Sequence, residues 1–317
     1  MAIGIDVGGT KCLGLLLDRS GSVVAERRVP TPVGSAAIVD AIAQLVQELA
    51  GAGPERGPAE GVTIGVGAPG LVNVDGVLRV APNLPGVEEL GLRADLEHRF
   101  PGSRVRIEND ASCAGWAERE AGAARGADHA VLVTLGTGIG GGIIVDGDLL
   151  RGAHGFAAEV GHMVVDPDGP PCPCGRRGCW ERFASGSGLR RLAGEVAQGR
   201  PESRMVELAG GDAENVRGEH VTTAAGEGDE AALEVMSRFA WWLALGLANL
   251  ANVFDPDVIV VGGGLVAAGE LLLEPARAAF AGLVLAAAHR PQVGIVPAAL
   301  GERAGAMGAA LLASDER

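Results

Sequence analysis

Ile5-Asp6-Val7-Gly8-Gly9-Thr10-Lys11 and Leu135-Gly136-Thr137-Gly138-Ile139-Gly140-Gly141 are two versions of one phrase, an apolar strand that runs into a glycine turn and out along a second strand. In the first copy Ile3 and Ile5 alternate into Asp6, Gly8-Gly9 turn, and residues 12–17 return; Asp18-Arg19-Ser20-Gly21 turn again into a strand at 23–29. In the second, strands are expected at 130–135 and 142–145. This copy satisfies G-x-G-x-x-G, but that pattern binds dinucleotides only where a helix starts at the glycines. Here Ile143-Ile144-Val145-Asp146-Gly147 reads as strand and turn, so the dinucleotide reading is rejected and a phosphate-binding hairpin is expected. Two such hairpins facing across a cleft can hold a nucleotide between two domains.

Around the hairpins the pattern is α/β. Helices are expected at 36–50, where Ile38, Ile42, Leu45, Val46 and Leu49 share a face, and at 111–121, 187–197, 229–252 and 303–313. Apolar strands are expected at 62–67, 104–107, 258–261 and 293–296. Residues 51–61 read as a Pro/Gly-rich loop, 147–181 as polar, cysteine-bearing loops, and 201–220 as a polar surface loop. The length suits one large α/β unit or two domains.

Composition excludes several functions. Among 26 basic residues only Lys11 is a lysine, and Thr10 precedes it, so there is no G-x-x-x-x-G-K-[ST] phosphate loop. The lysine and H-R-D loop of ordinary protein kinases are missing too. A net charge of −14 argues against a nucleic-acid partner. No run of 18 uncharged apolar residues suggests a membrane span; the nearest, at 243–254, is short and carries Asn249 and Asn252. No signal peptide is visible before Ile3. Five cysteines, three of them within eight residues, fit a reducing cytoplasm and a metal site better than a disulfide framework.

Four further stretches carry chemistry. Around Gly8 and Gly9, backbone N–H groups can approach phosphate, Thr10 can donate its hydroxyl, Asp6 can orient a magnesium shell and Lys11 adds a point charge. Gly262-Gly263-Gly264 follows a strand, where missing Cβ atoms serve either an adenosine or close helix packing. Cys172-Pro173-Cys174-Gly175-Arg176-Arg177-Gly178-Cys179 lies ten residues after His162, and three thiolates with one imidazole complete a closed, structural Zn²⁺ tetrahedron. Cys12 and Cys113 read as core thiols. In Glu108-Asn109-Asp110, at a strand's end, Asn109 or Asp110 suits a helix cap, and a carboxylate there also suits a general base. Glu159-Val160-Gly161-His162 reads more simply as a loop.

Taken in order, the hairpins, E-N-D, E-V-G-H and C-P-C-G-R-R-G-C-W-E resemble the ROK family of sugar kinases and related repressors, and within it the ATP-dependent glucokinases of actinobacteria. The resemblance runs from Gly4 to about Gly308. It implies an actin-like, hexokinase-like pair of α/β domains with a nucleotide and sugar cleft: a small domain of residues 1–110 with the closing helix at about 301–317, and a large domain of 111–300 bearing the zinc loop 162–179. It implies Asp110 as catalytic base, taking the proton of the glucose 6-hydroxyl as that oxygen attacks the ATP γ-phosphate. Asn83, Asn109, Asp110, Glu159, His162 and Glu181 would bind the sugar, and His162, Cys172, Cys174 and Cys179 the zinc. Asp6, Gly8, Gly9, Thr10 and Lys11, with Gly136, Thr137 and Gly138, would serve the phosphates of Mg²⁺-ATP, and Gly262, Gly263 and Gly264 the adenosine. A homodimer or homotetramer is implied.

Two rival readings follow. Kinases of the family acting on fructose, mannose or an N-acetylhexosamine share the E-V-G-H and cysteine segments, while Gly178-Cys179-Trp180-Glu181-Arg182-Phe183-Ala184-Ser185-Gly186 leans toward glucokinase. Polyphosphate-using members are typically shorter and lack the cysteine segment. The family's repressors carry a helix-turn-helix before the first hairpin, where Asp6 leaves no room, and the acidic charge also opposes that reading.

Overall fold

The computed structural model describes residues 1–52 and 61–315; the loop expected at 51–61 lies almost wholly outside them. The chain forms β1 (Ala2–Val7), β2 (Lys11–Leu17), β3 (Val23–Pro30), α1 (Ser35–Ala52), β4 (Thr63–Ala68), β5 (Leu71–Val72), β6 (Leu78–Val80) and β7 (Glu88–Leu90). Then come α2 (Leu92–Arg99), β8 (Arg104–Asn109), α3 (Asp110–Ala121), β9 (Ala130–Leu135), β10 (Ile139–Val145), β11 (Asp148–Leu149), α4 (Glu181–Ala184) and α5 (Gly186–Gly199). Last are α6 (Arg204–Leu208), α7 (Gly218–Gly226), α8 (Glu230–Phe254), β12 (Val258–Gly262), α9 (Glu270–Leu283), β13 (Gly294–Pro297) and α10 (Ala304–Ser314).

Packing divides the chain into two α/β units: Met1–Asp128 with Gly142–Ala158 and Ala299–Arg317, and His129–Gly141 with Glu159–Ala298. The sequence reading instead cuts at residues 110 and 300. The division by packing keeps α3 with the first unit because α3 lies against α10.

In the first unit a five-stranded sheet runs β3-β2-β1-β4-β8. β1 is antiparallel to β2 and parallel to β4, with Ile5 opposite Gly14 and Gly4 opposite both Leu15 and Gly65. Strand side chains alternate between faces. One face therefore takes α1, whose Leu45 and Leu49 come within contact of the space above Gly14. The other takes α10, and there the glycines are required. A Cβ on Gly4 would lie 1.8 Å from Ala306 O, one on Gly65 1.9 Å from Ala309 O, and one on Gly308 1.7 Å from Cys113 O. Backbone thus packs on backbone, and α10 is buried almost all round. The Glu118 carboxylate, also buried, accepts the N–H groups of Ala123 (2.7 Å), Ala299 (3.1 Å) and Leu300 (2.9 Å), which offsets its desolvation and ties α3 to the segment entering α10. A small antiparallel sheet, β5-β6-β7, falls within 71–90, which sequence reading left unassigned.

In the second unit β12 lies between β9 and β13, parallel to both. α8 packs on α5, α7 and α9. At 25 residues it is, among the described residues, the one helix long and apolar enough to cross a membrane, but 61% of its most apolar window is buried inside the protein, as in a core helix. The apolar run read as residues 243–254 is therefore the end of a longer element. Residues 201–220 also need correction. They hold α6, a 3₁₀ turn at Ala213–Asn215 and the start of α7, anchored by buried Met205, Val206 and Val216. α6 buries two side chains, the 3₁₀ turn none and α7 three, too few to register as a period.

Candidate functional site

Both glycine hairpins form. In the first unit, Gly8 N–H donates to Lys11 O at 3.0 Å and the Thr31 hydroxyl to Gly8 O at 2.6 Å. A Cβ on Gly9 would lie 3.1 Å from Asn83 O, so Asn83 sits against this turn. Lys11 extends from it half-exposed, its Nζ 2.6 Å from Glu302. Arg28 also reaches Glu302, and Arg303 pairs with Glu26 at 2.8 Å. The lone lysine is thus a member of a surface ion network. Such exposed pairs are weakened by water and salt, so Lys11 is free to exchange partners.

Behind the hairpin stand two half-buried carboxylates. Asp6, one residue before the end of β1, lies beside the start of α10, where Gly305 leaves room: a Cβ there would be 2.8 Å from the Asp6 Cγ. Burial first, then the Asp110 charge, push the Asp6 carboxyl up to about 7, against the pull of Lys11. Asp110 opens α3, and its Oδ1 accepts the Ala111 N–H at 2.8 Å. Its carboxyl is raised by burial and held back by its own and Ala111's backbone N–H groups. Asn109 is the helix cap: its Oδ1 accepts the Ser112 N–H at 3.0 Å and its Nδ2 donates to Gly70 O at 3.2 Å. The capping and functional readings of E-N-D are therefore compatible, since each Asn109 amide atom keeps one further hydrogen-bonding position.

Burial and like charge at Asp6 make a stability prediction. Between about pH 4 and 7 native Asp6 holds a proton that the unfolded chain has released, so stability falls as pH rises through that window and levels above it. In magnesium-free buffer Asp6→Asn is expected to exceed wild type by about 2–4 kcal/mol at pH 8, the gap closing toward pH 4. Urea unfolding at pH 4, 6 and 8 checks this; a gap independent of pH contradicts it.

In the second unit, Gly136 N–H donates to Gly138 O at 3.0 Å, and Gly136 O accepts the Gly186 N–H at 2.8 Å. β10, not a helix, follows the glycines, as the rejected dinucleotide reading requires. A Cβ on Gly138 would lie 2.6 Å from a Glu181 carboxylate oxygen, and one on Gly161 2.3 Å from Ile139 O. Glycines here let Glu181 and the E-V-G-H turn approach the hairpin. His162 Nε2 lies 3.9 Å from Glu159 and its Nδ1 3.9 Å from Glu181.

His162, Cys172, Cys174 and Cys179 come together, their ligand atoms all within 4.8 Å of one another. Cys174 Sγ lies 3.5 Å from Cys179 Sγ, and Cys172 Sγ 3.8 Å from His162 Nδ1. A tetrahedron with Zn–S bonds of about 2.3 Å has edges of about 3.8 Å, so the donor set and its spacing both fit zinc. Positive φ at Gly175 (90°) and Gly178 (66°) shape the loop, and a Cβ on Gly178 would lie 1.5 Å from Asp166 O. Beyond the last cysteine, Trp180 is fully buried, donates Nε1–H to Trp242 O at 2.8 Å and lies where a Gly246 Cβ would be, 1.9 Å away. Cys12 and Cys113 are buried core thiols.

The triple glycine divides by role. Gly263 (φ 85°) packs on the Leu135 backbone and Gly262 on Ala298. Gly264 has open space instead, and lines a cavity of about 570 Å³ with Gly186, Leu189, Arg190, Arg217 and Thr222. Arg190, Arg217 and Thr222 were missed, the last two because α7 was not recognised. Also missed was Arg151, whose Nε donates to buried Glu108 at 2.6 Å.

Comparison with known proteins covers the whole chain. The ROK family model matches residues 2–316. A glucokinase of Streptomyces coelicolor is 41% identical over 99% of this chain and 98% of its own. An N-acetylmannosamine kinase of Escherichia coli is 36% identical over 94% of this chain and 97% of its own. The crystal structure of a ROK family glucokinase from Streptomyces griseus, in complex with glucose and AMPPNP, superposes with a TM-score of 0.84 at 40% identity, covering 98% of each chain.

Proposed function

The chain belongs to the ROK family, and from that membership we propose that it transfers the γ-phosphoryl group of ATP to the 6-hydroxyl of D-glucose. The observation that carries this is Asp110, a half-buried carboxylate at a strand-to-helix junction, attended by backbone N–H groups and beside a second half-buried carboxylate, Asp6. A general base needs such a place: sheltered, raised toward working pH and oriented. Asp110 accepts the 6-hydroxyl proton, the freed oxygen forms its bond to the γ-phosphorus, and the bond to the ADP oxygen breaks. Asn83, Asn109, Glu159, His162 and Glu181 bind the sugar hydroxyls.

Gly8, Gly9 and Thr10, together with Gly136, Thr137 and Gly138, offer backbone N–H and hydroxyl donors to the phosphates. Lys11 joins them by leaving Glu302. Asp6 holds the magnesium shell that travels with ATP. Gly262 and Gly263 support the wall, and Gly264 lines the cavity, in which the adenosine lies. His162 and the three cysteines would hold a structural zinc, and His162 would use one imidazole nitrogen for it and the other for the sugar. The enzyme works in a reducing cytoplasm, consistent with five unpaired cysteines, and as a homodimer or homotetramer, which light scattering checks.

The test is a matrix of sugars against donors, read as hexose 6-phosphate formed. D-Glucose with ATP is expected to give the highest kcat/KM. The relative acting on N-acetylmannosamine supports a second reading, a kinase of another hexose. A higher kcat/KM for N-acetylmannosamine would decide for it, and preference for polyphosphate would overturn the donor.

A further inference from the structure

Glu108 stands directly before the helix cap Asn109 and the base Asp110, yet the sugar and phosphate sites leave it no task. It is 6% exposed. Both carboxylate oxygens are engaged: Oε1 accepts the Asn109 N–H at 3.1 Å, and Oε2 accepts Arg151 Nε at 2.6 Å. Asn109 is thereby held at three points, by its N–H to Glu108, its Oδ1 to Ser112 and its Nδ2 to Gly70. The peptide link between Asn109 and Asp110 has little freedom left.

Arg151 begins a segment that is itself fastened to the first unit. Its carbonyl accepts the Ala157 N–H at 3.1 Å, and His154 O accepts the Val74 N–H at 3.2 Å. Gly155 (φ 92°) approaches the backbone so closely that a Cβ would lie 2.7 Å from Val72 O. Along the chain this segment leads to Glu159 and His162. The Arg151 side chain is 33% exposed, so this half-buried pair gains little stability beyond the cost of desolvating Glu108, and its presence here calls for a role other than stability.

We propose that Glu108 and Arg151 are positioning residues for phosphoryl transfer: their ion pair holds the Asn109–Asp110 backbone so that the Asp110 carboxylate faces the sugar hydroxyl, and secures the segment leading to Glu159. The inference rests on the kinase reading above. Geometry at the base matters steeply, since a displacement of about 1 Å can cost about 100-fold in rate. Glu108 touches no substrate; its effect passes through Asp110.

The test compares Glu108→Gln, Arg151→Met and Arg151→Lys with wild type, by kcat, KM for glucose and ATP, glucose Kd by calorimetry, and folded fraction by circular dichroism. Glu108→Gln and Arg151→Met are expected to lower kcat by about 10- to 100-fold while glucose Kd stays within about threefold. Arg151→Lys is expected to recover a large part of kcat, because the pair uses one N–H···O bond that an ammonium can replace. Should Glu108→Gln not fold, the contrast between Met and Lys at position 151 decides alone. Folded variants with unchanged kcat, a raised glucose KM at constant kcat, or no recovery with Lys each overturn the inference while active wild type leaves the kinase reading intact. Wild type without hexose kinase activity overturns both.

Discussion

Asp110→Asn is expected to lower kcat by about 10²- to 10⁴-fold, the usual contribution of a general base, with glucose affinity nearly unchanged. The amide matches the carboxylate in shape and can still accept the Ala111 N–H that Asp110 Oδ1 takes at 2.8 Å, so α3 keeps its first turn. What the variant loses is a site for the 6-hydroxyl proton. It also removes the charge that, after burial, does most to raise Asp6, so the Asp6 carboxyl should titrate lower than in wild type. Isothermal titration with glucose, together with steady-state rates, separates binding from turnover. Near-normal kcat in this variant would remove Asp110 from its assigned role; lost glucose binding with the residual rate restored at high sugar would make it a ligand only.

The second large effect concerns the cysteine loop. Cys179→Ser is expected to take bound zinc from one ion per chain to nearly none and to cost several kcal/mol of stability, since a structural site folds its own loop when it binds the ion. The loss should be local at first. Trp180, locked by its bond to Trp242 and its contact with Gly246, keeps the far end of the loop on α8, whereas the backbone of residues 172–176 bonds within the loop, Cys172 N–H to Arg176 O and Gly175 N–H to Cys172 O. Activity should fall as well, because His162 is both a ligand and a neighbour of Glu159 and Glu181. X-ray absorption of the wild type should show three sulfur ligands and one nitrogen. Full activity in metal-free protein would exclude a zinc requirement.

Several features were legible without coordinates because each is local. The six residues 136–141 followed by Ile143-Ile144-Val145 identify a strand hairpin by turn chemistry alone, and β10 bears that out. Cys172, Cys174 and Cys179 fall close enough along the chain that any compact loop joins them, and His162 is only ten residues away. Asn109 advertises its cap by preceding a helix. The short turns at 204–226 were not legible: none buries more than three residues, and their polar composition masks those anchors.

What the sequence determined by itself, then, is most of the longer elements and the local chemistry at their ends: the two hairpins, the capped junction carrying Asp110 and the cysteine loop. These depend on neighbours in the chain, whose backbone preferences and side-chain periods do not wait for a partner. Only the tertiary structure decided which distant groups meet. Arg151 is 43 residues from Glu108 and bonds it at 2.6 Å. Lys11 meets Glu302 across 291 residues, and Glu118 holds the N–H groups of Ala299 and Leu300 from 181 and 182 away. The physical reason is that a buried polar group is satisfied by whatever donor packing brings to it. That packing is set here by bare backbone at Gly4, Gly65 and Gly308, which lets α10 lie directly on the sheet and α3.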